Sequence, residues 1–260
     1  MRTPARKLLS LLVGTGLAAF MVGTGAPAAI AAGGGSTCTG GSVAPGTYSS
    51  LVIAGACSID SGPVTVLKNL TVQPGADLYA AFSGSDLTVD GNLDVKKGAV
   101  LVLGCEPDAF PCFNDPNGVT NDVVGKNLSA QGALAVLVHH NTLNGNVVLS
   151  GGGGGVNCDP QPALMGSPAY ATYEDNPIAG NVSISGWRSC WSGFFRNSVG
   201  GNVAYNNNVT FDEDGNEIAT NTINGGLHCA NNNPAVQFGD SGGDPNIVHG
   251  RVTGQCLAVV

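Results

Sequence analysis

Val64-Thr-Val-Leu-Lys-Asn69-Leu70-Thr-Val72-Gln-Pro-Gly75-Ala76-Asp-Leu78-Tyr-Ala80 is followed, after six residues, by Leu87-Thr-Val-Asp-Gly-Asn92-Leu93-Asp-Val95-Lys-Lys-Gly98-Ala99-Val-Leu101-Val-Leu103. The two stretches superimpose at an offset of 23 residues, with Leu70 on Leu93, Val72 on Val95, Gly75 on Gly98 and Leu78 on Leu101. Each holds three short runs that alternate apolar and polar, separated by Asn and Gly corners. Runs this short cannot bury a face alone. Stacked about 4.8 Å apart, equivalent runs cover one another, which predicts a solenoid whose repeating coil is three short strands.

The same punctuation recurs as Gly145-Asn146-Val-Val-Leu, Gly180-Asn181-Val-Ser-Ile, Gly201-Asn202-Val-Ala-Tyr and Gly215-Asn216-Glu-Ile. The chain has 24 asparagines, concentrated at such corners. Asparagine tolerates left-handed backbone angles, and stacked side-chain amides can bond along the axis. The i, i+3, i+4 apolar period of a helix is absent beyond the leader, so the chain reads as all-β, a single-stranded parallel β-helix; a sandwich or closed barrel fits the 23-residue self-match less well. Residues 36–62, with a turn at Pro45-Gly46, read as an atypical N-terminal cap or first coil, and 63–260 as the β-helix domain. Cys105-Glu-Pro-Asp-Ala-Phe-Pro-Cys112 reads as a closed loop inserted at one edge. Gly151 to Gly155 with 156–176 form the longest irregular segment, and Gln255 to Val260 the last strand.

Arg2, Arg6 and Lys7, the apolar run Leu8 to Val22 and the small residues around Ala26-Pro27-Ala28 and Ala29-Ile30-Ala31 read as a signal peptide over 1–31. The run is too short and interrupted for membrane insertion. A secreted, extracellular or surface-associated product is expected. Setting those three basic residues aside leaves 7 of 10 against 18 acidic ones, a net charge of −11. That excess disfavours nucleic acid and polyanionic glycans as partners. Cys38, Cys57, Cys105, Cys112, Cys158, Cys190, Cys229 and Cys256 are even in number and suit up to four disulfides in an exported chain. Their spacing does not fix the connectivity; joining sequence neighbours, 38–57, 105–112, 158–190 and 229–256, would tie successive corners.

Gly46-Thr-Tyr48 through Leu70-Thr-Val72, Ser185-Gly-Trp-Arg-Ser-Cys-Trp-Ser-Gly-Phe-Phe-Arg-Asn197, and Asn221-Thr through Gln255-Cys256 carry a resemblance. On these pieces the chain resembles secreted right-handed parallel β-helix proteins of high-GC Gram-positive bacteria. The resemblance implies right-handedness and export but no activity. Pectate lyases, polygalacturonases, adhesins and phage tailspikes share such architecture, and fold alone does not choose among them.

Gly239-Asp240-Ser241-Gly242-Gly243 is similar to the nucleophile loop of chymotrypsin-like proteases. Only 17 residues follow it, and no histidine stands in the expected Ala-Ala-His-Cys context. A serine without base and orienter is an ordinary serine. A polygalacturonase needs a pair of carboxylates across the bond, and its Asp pair and Gly-His-Gly are missing. His139 and His140, adjacent on a strand, point to opposite faces and read as structural. Trp187, Arg188, Trp191 and Arg196 form the one aromatic and cationic cluster, and with both tryptophans on one outward face they would bind sugar; turned inward, they would cover the core. Asp212, Asp214 and Glu217, within Asp212-Glu-Asp-Gly-Asn-Glu217, offer hard oxygen ligands that suit Ca²⁺ without forming an EF-hand. The function expected is therefore a non-enzymatic secreted protein binding extracellular or cell-wall polysaccharide, or itself. The alternatives are a divergent polysaccharide lyase or glycoside hydrolase, and a structural cell-surface or spore-surface component.

Overall fold

The structure is a computed structural model that describes residues 35–260; the expected signal peptide lies outside the described residues. The fold is all-β, with three large sheets of ten, eight and nine strands in which every pairing is parallel. Sheet I runs from Gly35–Cys38 through Leu70–Val72, Leu93–Val95 and Leu128–Gln131 to Val252–Gly254. Sheet II runs from Gly41–Ser42 to Asn216–Ala219, and sheet III from Gly46–Tyr48 to Ile247–Val248. From Gly35 to Ser185 consecutive strands visit sheets I, II and III in turn, each triplet of strands forming one coil. Beyond that the paired strands Arg188–Ser189 and Val209–Thr210 are interposed before sheet II, and the last turn passes from Leu227–Ala230 to Ile247–Val248 with no strand on sheet II. Leu70 and Leu93 are register partners on sheet I, both fully buried, as are Val72 and Val95. Residues 35–62 already feed all three sheets.

One core cluster draws on all three sheets: Leu70 and Val147 from I, Leu101 and Phe194 from II, Val66 and Ile223 from III. The alternation of three-residue strands explains this, since the first and third side chains of Leu70–Val72, Leu87–Val89 and Leu93–Val95 are buried and the middle ones half-exposed.

Asparagine corners organise the stack. In an outer ladder the backbone amides of Asn92, Asn127, Asn146, Asn181, Asn202 and Gly226 each donate to the side-chain oxygen of the asparagine one triplet earlier, at 2.8–3.1 Å. A buried ladder runs the opposite way: Leu87, Asp122, Asn141, Asn176, Asn197 and Asn221 donate to the side chain one triplet later, at 2.8–3.2 Å. Four of its rungs follow a residue in the left-handed region, namely His140, Asp175, Arg196 and Thr220, with φ of 56, 56, 52 and 61°. This bend turns the chain from sheet II to sheet III and stacks four side chains in one column.

The four disulfides join Cys38–Cys57, Cys105–Cys112, Cys158–Cys190 and Cys229–Cys256, each cysteine with its sequence neighbour. Four such bonds point to an oxidising, extracellular setting. Two expectations are corrected. Gln255–Ala258 is a 3-10 turn rather than a strand. The irregular segment after Gly155 ends early, because Tyr170–Glu174 pairs into sheet II between Ala135–His139 and Trp191–Phe195.

Candidate functional site

Sheet II is the sheet whose outer face is covered. Leu101, Val136, Tyr173 and Phe194 point to the main core, while Val100, Val102, Ala135 and Leu137 form a second apolar cluster on the opposite face. The Cys105–Cys112 loop and the segment around Leu164 and Ala169 supply the rest of that cluster. Tyr79 Oη donates to the Ala163 carbonyl at 2.5 Å and fastens the second segment.

Beyond this cover the outer face turns polar. Register places His139, Glu174 and Phe195 in one row and Thr172, Gly193 and Glu217 in the next. The rings of Trp191 and Phe195 stack at 5.8 Å and 20°. Gly193 lies between them, and a Cβ there would stand 2.4 Å from the indole and 2.3 Å from the Phe195 ring. Only glycine leaves room for that stack. Trp191 Nε1 donates to Glu217 Oε1, which fixes the ring's orientation.

A cleft of about 400 Å³ opens beside the stack, lined among others by Glu106, Glu174, Asp175, Phe195, Arg196 and Ser241. Arg196 grips both oxygens of Asp175 and reaches Glu174 Oε2 at 2.9 Å. Burial works against the Arg196 charge, but the Asp175 and Glu174 partners carry its pKa above the ordinary value. Burial also raises Glu174, with Thr172 and Arg196 opposing. Glu106 is pushed up to about 8, first by burial and then by the neighbouring Asp175 carboxylate. His139 is buried, stacks on Phe110 at 4.3 Å, and is driven down to about 3 by burial and then by the Arg196 charge. Its 3.9 Å approach to Glu174 is therefore not an ion pair. With no hydrogen-bond partner on either nitrogen, His139 does not engage Ser241.

The expected sugar platform is corrected. Trp187 is fully buried in the core, because it follows the left-handed Gly186 at a corner and turns inward. Arg188 is exposed on a separate two-stranded bridge with Val209–Thr210. Trp191 and Arg196 alone of the four reach the outer face of sheet II. The metal set is corrected too. Asp214 and Glu217 converge with Asp240, their ligand oxygens within 4.8 Å of one another, whereas Asp212 stands outside that group. Glu217 is buried and pushed up to about 7, by burial first, with Trp191 and Ser241 lowering and Asp214 and Asp240 raising it.

Sequence reasoning missed Glu106, Glu174 and Asp175 as parts of this face. Among the described residues no helix is long and apolar enough to cross a membrane. No family model matches the chain, and no curated protein or solved structure matches it.

Proposed function

We propose that the chain is a secreted, single-stranded right-handed parallel β-helix that binds neutral extracellular or cell-wall polysaccharide on the outer face of sheet II. The architecture is supported by the cyclic visiting of three parallel sheets around one core from Gly35 to Ser185, continued with short interposed strands towards the C-terminus; parallel strands joined by crossovers are right-handed in nearly all cases. The observation that carries the binding reading is the half-buried Trp191, held by Glu217 and stacked on Phe195, with Phe195 in turn lining a polar cleft. Indole faces pack on the C–H faces of sugars, and flanking carboxylates and a guanidinium take up hydroxyls. The net negative charge favours a neutral polymer over a polyanion. Depletion assays with insoluble cellulose, chitin and β-glucan test this. Wild type is expected to bind at least one of them, and Trp191→Ala to weaken that binding about tenfold, the equivalent of about 1.4 kcal/mol. Equal binding by the variant, or none by wild type, would refute the reading.

A hydrolytic reading is favoured by one observation, the convergence of Glu106, Glu174 and Asp175 on one cleft, where burial raises Glu106 above the ordinary carboxylate range. Glycoside hydrolysis needs two carboxyl groups flanking the bond, one of them with a raised pKa to act as the acid. Release of reducing ends from a bound polymer, abolished in Glu106→Gln, would establish it. Binding without release would leave the non-enzymatic reading standing alone.

A further inference from the structure

Three carboxylates meet at the C-terminal end of the sheet II face. Asp214 comes from the turn closed by the Gly215 amide donating to the Asp212 carbonyl, Glu217 from the strand Asn216–Ala219, and Asp240 from the loop that follows the Glu217–Gln237 bridge. Their ligand oxygens lie within 4.8 Å of one another. Among the described residues no lysine or arginine pairs with any of them, since Arg196 is committed to Glu174 and Asp175. Uncompensated, such a cluster repels itself.

Glu217 supplies the independent observation. Its side chain is fully buried; Oε1 takes the Trp191 indole proton, and Oε2 has no hydrogen-bond partner. A buried carboxylate oxygen without a donor is costly. The Glu217 carboxyl lies against the loop that brings Asp240: a Cβ at Gly239, which has φ of +65°, would stand 2.1 Å from its Cδ and 2.5 Å from Oε2. The loop backbone closes on this oxygen because residue 239 has no side chain. What the arrangement lacks is a positive centre.

We propose that Asp214, Glu217 and Asp240 bind a calcium-class divalent cation. Hard oxygen donors from a strand and two turns suit Ca²⁺, with water and backbone carbonyls completing six to eight ligands, as is usual for this ion. Mg²⁺ would demand a tighter octahedron than three separately anchored carboxylates give. Because Glu217 also holds Trp191, the cation would fix the 239–241 loop and the indole together. The inference stands whether or not this face binds saccharide.

Calorimetric titration of the purified secreted chain with CaCl₂ after chelation tests it, alongside Tb³⁺ titration with tryptophan excitation. One site is expected, in the range of about 10⁻⁴–10⁻³ M typical of extracellular modules. Trp191 should sensitise Tb³⁺ luminescence, and Ca²⁺ should displace it. Asp240→Asn, on an exposed loop, should weaken Ca²⁺ about tenfold or more, while in chelator its stability should equal or exceed that of wild type because one repelling charge is gone. Asp212→Asn, outside the ligand group but beside Asp214, should weaken Ca²⁺ less than Asp240→Asn does. No Ca²⁺ uptake at millimolar concentrations, or uptake untouched in Asp240→Asn, would overturn the proposal.

Discussion

Arg196 donates from Nε to Asp175 Oδ1 at 2.9 Å and from Nη2 to Asp175 Oδ2 at 2.7 Å, and the two residues hold equivalent left-handed corners of successive strand triplets. The stack that aligns Asn176 with Asn197 in the buried ladder also sets the carboxylate beside the guanidinium. Arg196→Met should therefore destabilise the protein. The guanidinium side chain is 40% exposed, so solvent screening holds the loss to about 1 kcal/mol. Adding Glu174→Gln, which removes the more buried of the two carboxylates, should recover part of it in urea unfolding. An additive double variant would contradict the coupling.

Asp122 is the one carboxylate in the buried ladder, where Asn141, Asn176, Asn197 and Asn221 occupy the other rungs. It accepts from the Leu87 amide through Oδ1, but Oδ2 is buried without a partner. Burial raises its pKa to about 7 from 3.8. The native state holds this proton longer than the unfolded one, so its contribution is full below pH 3.8 and is lost as pH rises towards 7. Asp122→Asn should gain about 1–3 kcal/mol at pH 8 and little at pH 4, because an amide meets no penalty on ionising. Equal effects at both pH values would rule this out.

His139 gives the opposite slope. Its pKa falls to about 3 from 6.5 through burial, so the unfolded chain binds a proton in this interval that the native state refuses. Stability from this residue is full above pH 6.5 and lost as pH falls towards 3, at up to about 1.4 kcal/mol per pH unit. His139→Leu should flatten the acid limb of the unfolding midpoint between pH 6 and 4. An unchanged limb would show that carboxylates alone drive acid unfolding.

The two asparagine ladders should not be equally sensitive. Asn146 lies on the exposed ladder, whereas Asn176 is buried, donates to Val138 O and Asn197 Oδ1, and accepts from the Asn141 amide. Removing a buried amide strands its partners, so Asn176→Ala should cost about 2–3 kcal/mol and Asn146→Ala about 1 kcal/mol or less. Chemical denaturation of both variants checks the order, and a reversal would mean that the buried rungs are not what aligns the stack.

The layering was legible because it obeys period two: Leu70 and Leu93, twenty-three residues apart, are neighbours on one sheet. The Gly-Asn corners were legible because a Cβ at Gly91, Gly145, Gly180 or Gly225 would stand 2.0–2.5 Å from a carbonyl of the neighbouring coil, whereas the left-handed corners at His140, Asp175, Arg196 and Thr220 carry neither Gly nor Asn. The site was less so. Tyr170–Glu174 does alternate, with Ala171 and Tyr173 in the core and Thr172 and Glu174 facing out, but so short a run, with two tyrosines and a proline on either side, read as loop. Trp187 and Trp191 looked co-facial on a continuous strand, but the corner at Gly186 and the bend at Cys190 break that phase. Asp240 meets Glu217 only because the chain comes back one triplet later at Gln237, a return with no local signature.

Tryptophan emission tests the central claim most directly, because one indole is sealed in the core and the other lies on the proposed binding face. Titration with a soluble oligosaccharide of a bound polymer should shift the emission of wild type and of Trp187→Phe, and leave that of Trp191→Phe unchanged. A shift that survives in Trp191→Phe, or binding that leaves Trp191 emission unaltered, would place the saccharide elsewhere and contradict the account.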